Sequence, residues 1–178
     1  MPNFKNTPNE FVDKDGKTKW LSRSLAVVVT VILNGEKALI VKRGNKISHS
    51  NKWCNPCGYL DWDESGTQAS FREVWEESGL DIGEIIDTNP DSISFQSMID
   101  PWDIVTNPEL NHNQDVALYY GICINSDVEP EIHNRNCEEG EILDTKWVRI
   151  EDLINFEFAF GHENRILKYI DYIKKNEN

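Results

Sequence analysis

Residues 24–33, Ser-Leu-Ala-Val-Val-Val-Thr-Val-Ile-Leu, constrain the fold more than any other stretch of this chain. The run is β-branched and almost continuously apolar. A strand with one wet face alternates apolar and polar residues, and a strand without that alternation is covered on both faces. The chain must therefore bury a central strand between two layers. Its 178 residues are enough for one domain of that kind, because chains of this size bury roughly 70 % of their unfolded surface. The run is only strand-sized, well short of the ~18 apolar residues that a membrane span needs.

Turn and helix signals divide the rest of the chain. Asp15-Gly16 at the middle of residues 11–20 predicts a hairpin, which makes 1–23 an N-terminal hairpin extension. Asn34-Gly35 is a second tight turn, leading into a strand at 38–41. Residues 44–56 read as a loop. Residues 65–78 contain good helix formers and no Pro, and Gly79 is placed to stop that helix. Residues 93–98 and 116–124 read as strands, with a long polar loop between them at 100–115 that contains Pro101 and Pro108. A loop at 134–140 precedes a strand at 146–148. Ile166, Leu167, Ile170 and Ile173 have helical spacing and predict a C-terminal helix over 163–174. The expected class is α/β or α+β, with helices packed on a mixed sheet in one domain over 1–178.

Charge narrows the function classes. The chain has 31 Asp and Glu against 18 Lys and Arg, a net charge of −13. A field of that sign repels nucleic-acid backbones and anionic membranes. No long nucleic acid and no membrane is expected as a partner. The polar first ten residues carry no signal-peptide core, and the four cysteines read as reduced thiols, so the expected location is cytoplasmic.

The segment from Gly58 to Leu80 carries the chemistry. At about 100° per residue, Glu76 lies roughly 60° to one side of Glu73 and Glu77 roughly 40° to the other. Three carboxylates thus share one narrow helix face, where unscreened like charges destabilise a helix. Such a ridge offers the oxygen ligands that a hard divalent cation prefers. Arg72 can grip a carboxylate in bidentate fashion and orient it, and Glu64 meets Arg72 at the helix entrance. An arbitrary charge run reads as a solvated face, but this one has a fixed pattern. It runs Gly58, five residues, Glu64, seven residues, Arg72-Glu73-Val74, one residue, Glu76-Glu77, one residue, Gly79-Leu80. That spacing resembles the Nudix box at all seven fixed positions and both aliphatic ones, a match expected by chance in below ~1 in a million chains of this length. Trp53, Pro56 and Gly58 resemble the family's lead-in, Glu141 before Trp147 its acidic loop and following strand, and Phe160-Gly161-His162 a common C-terminal pattern.

The resemblance implies an α/β/α sandwich with the box as loop, helix and loop. It implies a Mg²⁺-dependent hydrolase, with Mn²⁺ as a substitute, that cleaves the pyrophosphate bond of a nucleoside diphosphate linked to another moiety. Glu73, Glu76 and Glu77 would be metal ligands, Arg72 the orienter of Glu73, and Glu64, Gly58 and Gly79 structural. The family usually has Gly before Gly58 and uses its backbone carbonyl as a ligand. Cys57 stands there in this chain, so its carbonyl takes the part and the turn must accept a Cβ. The general base varies within the family, and Glu76, Glu138, Glu139 and Glu141 are its candidates. Trp102, Trp62 and His112 are possible substrate contacts. An ADP-ribose-like substrate is favoured, because the N-terminal hairpin and the 100–115 loop resemble the sugar-nucleotide branch. A nucleoside triphosphate, NADH or a dinucleoside polyphosphate as substrate, pyrophosphate removal from RNA 5′ ends, and a non-catalytic nucleotide sensor remain alternatives. A homodimer is a further expectation.

Cys54 and Cys57 also spell Cys-x-x-Cys, which invites zinc or redox readings. Cys123 and Cys137 form no second pair at knuckle spacing, and no helix starts directly after Cys54. The pair is therefore read as small buried residues of the lead-in strand. His49, His112, His133 and His162 lack metal-ligand spacing and read as structural or surface residues.

Overall fold

The computed structural model describes residues 10–14, 17–21, 23–94, 96–107, 115–134 and 137–176. The hairpin consists of β1 (Glu10–Lys14) and β2 (Lys17–Leu21), antiparallel and forming a sheet of their own. Its turn residues Asp15 and Gly16 lie outside the described residues.

The central strand is β3 (Leu25–Leu33), buried at every position from Val27 onward. Because side chains alternate along a strand, Val27, Val29, Val31 and Leu33 face one layer, where they meet Ala69, Val74, Leu80 and Ile82. Ile32 faces the other layer, with Ile166, Tyr169 and Ile170. This two-sided cover is what the apolar run demanded.

Asn34 and Gly35, at φ 52° and 68°, turn the chain into β4 (Lys37–Arg43), antiparallel to β3. The positive φ of both residues suits the primed turns that match strand twist. On its other edge β3 pairs in parallel with β9 (Val116–Ile124) along nine residues. The strand β10 (Ile142–Arg149) adds antiparallel to β4. The sheet is therefore mixed, ordered β10-β4-β3-β9, with β7 (Ile93–Ser94) beyond β9.

The helix expected at 65–78 is α1 (Gly66–Ser78), followed by α2 (Ile82–Thr88), both on the Val29 side of the sheet. The C-terminal helix α4 (His162–Asn176) covers the opposite side. The three layers are those of an α/β/α sandwich.

Three local expectations change. The loop at 44–56 contains β5 (Trp53–Cys54), which pairs with β4, and β6 (Cys57–Tyr59) follows on β3. The strand expected at 93–98 stops after Ser94 and passes into the short helix α3 (Gln96–Ile99). Further along the edge of β9, residues 117–119 are taken by β8 (Asp103–Val105). That strand lies within the stretch expected to be a loop. Local pattern could not reveal which segment wins a shared edge.

Candidate active site

The carboxylate ridge is set by how α1 begins and ends. Ser65 Oγ accepts from the Gln68 amide at 3.3 Å while Gln68 Oε1 accepts from the Ser65 amide at 2.8 Å, a capping box that satisfies two orphan donors. Gly79 ends the helix at φ 70° and donates its N–H to Trp75 O at 2.8 Å. With both ends fixed, Glu73 and Glu77 turn inward and are buried, and Glu76 stays half-buried at the rim.

Burial of two carboxylates on one face demands compensation. Arg72 supplies part of it. It donates from Nη1 to Glu73 Oε1 at 2.6 Å and Glu76 Oε2 at 3.2 Å, and from Nη2 and Nε to the two Glu64 oxygens at 2.5 and 3.0 Å. A fifth bond ties Nη2 to Tyr59 O at 3.0 Å. Glu64, held also by the Asp61 amide at 2.9 Å, does meet Arg72 at the helix entrance. Hydrogen bonding to Arg72 holds the Glu64 carboxyl below its usual range.

Glu77 receives one compensating bond, from the Cys57 amide to Oε2 at 3.0 Å. Burial, the nearby Cys57 thiol and the Glu73 charge push its carboxyl well above the usual range. Burial likewise raises Glu73 to about 7, opposed by Arg72 and reinforced by Glu76 and Glu141. The cluster thus has more carboxyl groups than Arg72 and the Cys57 amide compensate, an oxygen-rich donor set that could hold a divalent cation.

The lead-in strand seats this cluster. A Cβ on Gly58 would meet the Glu73 carboxylate, so a larger residue there would displace the carboxylate that Arg72 holds. Cys57 shows why a side chain is tolerated one residue earlier. Outside glycine, the left-handed φ values among the described residues fall on Asn34, His49, Asn51 and Phe160, not on Cys57. Its backbone conformation is one that any residue adopts.

A cavity of about 910 Å³ opens over the ridge. Glu73, Glu76, Glu77, Glu138 and Glu141 line it together with Arg72, Cys57 and Gly58. Of the base candidates, Glu139 is exposed and does not line it. Glu141 is held by its own backbone, whose carbonyl accepts from the Gly44 amide at 2.6 Å.

The aromatic candidates lie apart from the cavity or outside the described residues. Trp102 is not at the cavity. It packs against Tyr119, Tyr169 and Tyr172 at centroid distances of 5.9, 5.4 and 5.7 Å, because β8 draws it under α4. Trp62 is exposed and away from the cavity. His112 lies outside the described residues.

Three cations enter the same cavity that sequence reasoning did not single out: Arg43, Arg165 and Lys168. Arg43 is buried, donates Nε to Ser48 O at 2.7 Å and lies 4.9 Å from the Phe160 ring centroid. Arg165 donates to Asp103 Oδ2 at 2.6 Å and lies 4.2 Å from the Tyr119 centroid. Arg165 and Lys168 stand at i and i+3 on α4, a spacing that puts two residues on one face and was readable in advance. Arg43, at a strand end, carried no such signal.

The family model of the NUDIX domain matches residues 23–169. The chain belongs to the Nudix family. Among curated Nudix relatives, the m7GpppN-mRNA hydrolase NUDT17 of Danio rerio is 33 % identical over 93 residues, 51 % of this chain and 29 % of that protein. The match therefore spans less than a third of the relative's length. Two of the solved structures that match show the likeness of fold. The NUDIX domain of Shewanella oneidensis NrtR, complexed with ADP ribose, matches with a TM-score of 0.63 and 18 % identity over 86 % of this chain and 90 % of that one. A bifunctional NMN adenylyltransferase/ADP ribose pyrophosphatase from Francisella tularensis, complexed with AMP and a Mn ion, matches with a TM-score of 0.65 and 18 % identity over 85 % and 42 % of the two chains. No described helix is long and apolar enough to cross a membrane.

Proposed function

We propose that this Nudix protein is a Mg²⁺-dependent pyrophosphohydrolase that cleaves the diphosphate bridge of a small nucleoside diphosphate derivative, with an ADP-ribose-like substrate favoured. The observation that carries the reading is the shared cavity, where an undercompensated carboxylate ridge stands with Arg43, Arg165 and Lys168. Carboxylates hold cations and the three basic groups hold anions, so a metal-bridged diphosphate satisfies both. Glu73, Glu76 and Glu77, with the Cys57 carbonyl, would hold Mg²⁺ or Mn²⁺. A divalent cation there supplies charge to the diphosphate and acidity to the attacking water. Arg72 keeps Glu73 oriented and opposes the rise in its pKa. Glu141, which lines the cavity beside Glu76 and Glu138, is our candidate to take the proton from that water.

A substrate panel with Mg²⁺ tests the reading. Release of AMP from ADP-ribose is expected. Turnover restricted to nucleoside triphosphates would reject the substrate, and tight ADP-ribose binding without hydrolysis would reassign the protein as a sensor. A capped dinucleotide belongs in the panel because of the NUDT17 match.

Metal binding should also depend on pH. The folded pKa of Glu73, about 7, lies above its ordinary value of 4.5. Its protonation therefore favours the metal-free fold, and that contribution, on the order of 3 kcal/mol, is lost as pH rises from 4.5 through 7. Mg²⁺ competes with the same proton. The Mg²⁺-induced rise in Tm is expected to be small near pH 5.5 and several-fold larger near pH 8, measured by thermal unfolding with metal and with chelator. A pH-independent Mg²⁺ effect would remove Glu73 from the ligand set.

A further inference from the structure

The two cysteines of Cys-x-x-Cys need no second cysteine pair, because the fold brings them a histidine. Cys54 Sγ, Cys57 Sγ and a ring nitrogen of His162 lie within 4.8 Å of one another. The sequence separates His162 from the pair by more than a hundred residues, and three independent anchors set the arrangement. Cys54 is held by β5 pairing with Val41, and Cys57 by β6 pairing with Val28. His162, at the start of α4, is buried, and its Nδ1 accepts from the Asn55 amide at 3.1 Å. The Nδ1 lone pair is therefore aimed at the loop that joins the two thiols.

We propose that Cys54, Cys57 and His162 form a second metal site, for a thiophilic divalent cation of the zinc class, separate from the carboxylate ridge. The donor set is the kind zinc selects over Mg²⁺: two sulfurs and an imidazole nitrogen. His162 Nδ1 accepts a hydrogen bond, so it carries a lone pair and can ligate without first losing a proton. Ligation through Nδ1 would release the Asn55 amide from its 3.1 Å bond, at the cost of that hydrogen bond. Asn55 keeps its Nδ2 bond to Thr30 Oγ1 at 2.8 Å, and the next carbonyl, Pro56 O, its bond from the Val29 amide at 2.9 Å, so the loop remains tied.

Charge also balances. Two thiolates, one neutral imidazole and a dication sum to zero, leaving Arg43, which donates to Cys54 Sγ at 3.8 Å, no net charge to oppose. Cys54 closes the site from within, whereas Cys57 and His162 line the cavity. Three protein ligands with an open side are the pattern of a zinc site that keeps an exchangeable fourth position. The Cys57 amide also holds Glu77, so the two sites adjoin at one residue. The inference stands whether or not that ridge hydrolyses a diphosphate.

The test is a Co²⁺ titration of the full chain, reduced and anaerobic, with Mg²⁺ in large excess to fill the carboxylates. One equivalent of Co²⁺ should bind with strong thiolate-to-metal charge-transfer absorption, and one equivalent of Zn²⁺ should displace it. Cys54→Ser should lose most of that band and weaken binding by more than about 100-fold, since changes one layer further out already cost 10–100-fold. Glu77→Gln and Cys137→Ser should keep the band. Thermal unfolding of Cys54→Ser checks its fold, and Cys57→Ser serves if that variant fails to fold. Absence of the band in the unmodified chain, its retention in Cys54→Ser, or its loss in Cys137→Ser overturns the assignment. A thiol count showing Cys54 and Cys57 already joined as a disulfide under these conditions also overturns it.

Discussion

Replacing Glu77 with Gln is expected to lower kcat by roughly 10³-fold, about 4 kcal/mol of barrier, while the metal-free protein melts at the same temperature or higher. Glu77 is buried and its carboxyl is forced well above the usual range by that burial, by Cys57 and by Glu73. A carboxylate held under such conditions costs stability unless something binds it. Gln has the same shape and still accepts the Cys57 amide bond of 3.0 Å. What it cannot do is give a divalent cation a charged oxygen or share the charge of the ridge. The measurement is kcat with Mg²⁺ beside thermal unfolding in chelator. Full activity in the variant would remove Glu77 from the metal site, and a Tm drop of more than roughly 10 °C would show that its role is structural.

Replacing Arg72 with Ala has the opposite signature, a large loss of stability. One guanidinium makes hydrogen bonds to Glu64, Glu73, Glu76 and Tyr59 O. Removing one partner of such a network strands the others, and breaking a buried pair costs on the order of 3 kcal/mol. For a chain of this size that corresponds to a Tm loss of roughly 6–12 °C near pH 8. The loss should shrink near pH 5.5, where Glu73 takes up a proton and is no longer stranded. Mg²⁺ should recover part of it by supplying the missing positive charge. An Arg72→Ala variant with an unchanged Tm at pH 8 in chelator would mean that the four contacts contribute nothing net. Arg72→Lys should fall between, because a single ammonium cannot reproduce the forked contacts.

The two variants separate what the ridge is for from what holds it in place. Glu77 sits where the chain lacks compensation, so its removal relieves the fold and disables the site. Arg72 sits where compensation is concentrated, so its removal does the reverse first. A cluster that existed only to decorate a helix surface would show neither response.

Much of this was legible in one dimension because it depends on periodicity. The alternation-free run at 24–33 required two covering layers, and β3 has them. The spacing of Glu73, Glu76 and Glu77 placed three carboxylates on one face, and Ser65 and Gly79 bounded the helix that carries them. Glu64 and Arg72 were expected to meet and do. Elsewhere the reading failed for a common reason. The presence of β8 and the position of Trp102 both depend on which segment pairs with residues 117–119 of β9. That is a competition between stretches far apart in the chain, and no window of neighbouring residues contains it.

The sequence by itself thus determined the family, the layered architecture and the carboxylate face, since a helical repeat and a strand repeat convert spacing directly into direction. Only the tertiary structure decided what shares the cavity with that face. Arg43 arrives at the end of β4, Arg165 and Lys168 on α4 from the opposite layer, and Cys57 reaches Glu77 across β6. His162 likewise meets Cys54 and Cys57 only because α4 begins where β5 and β6 diverge. These contacts depend on how the layers are stacked, and stacking is set by the summed packing of the whole core rather than by any local pattern.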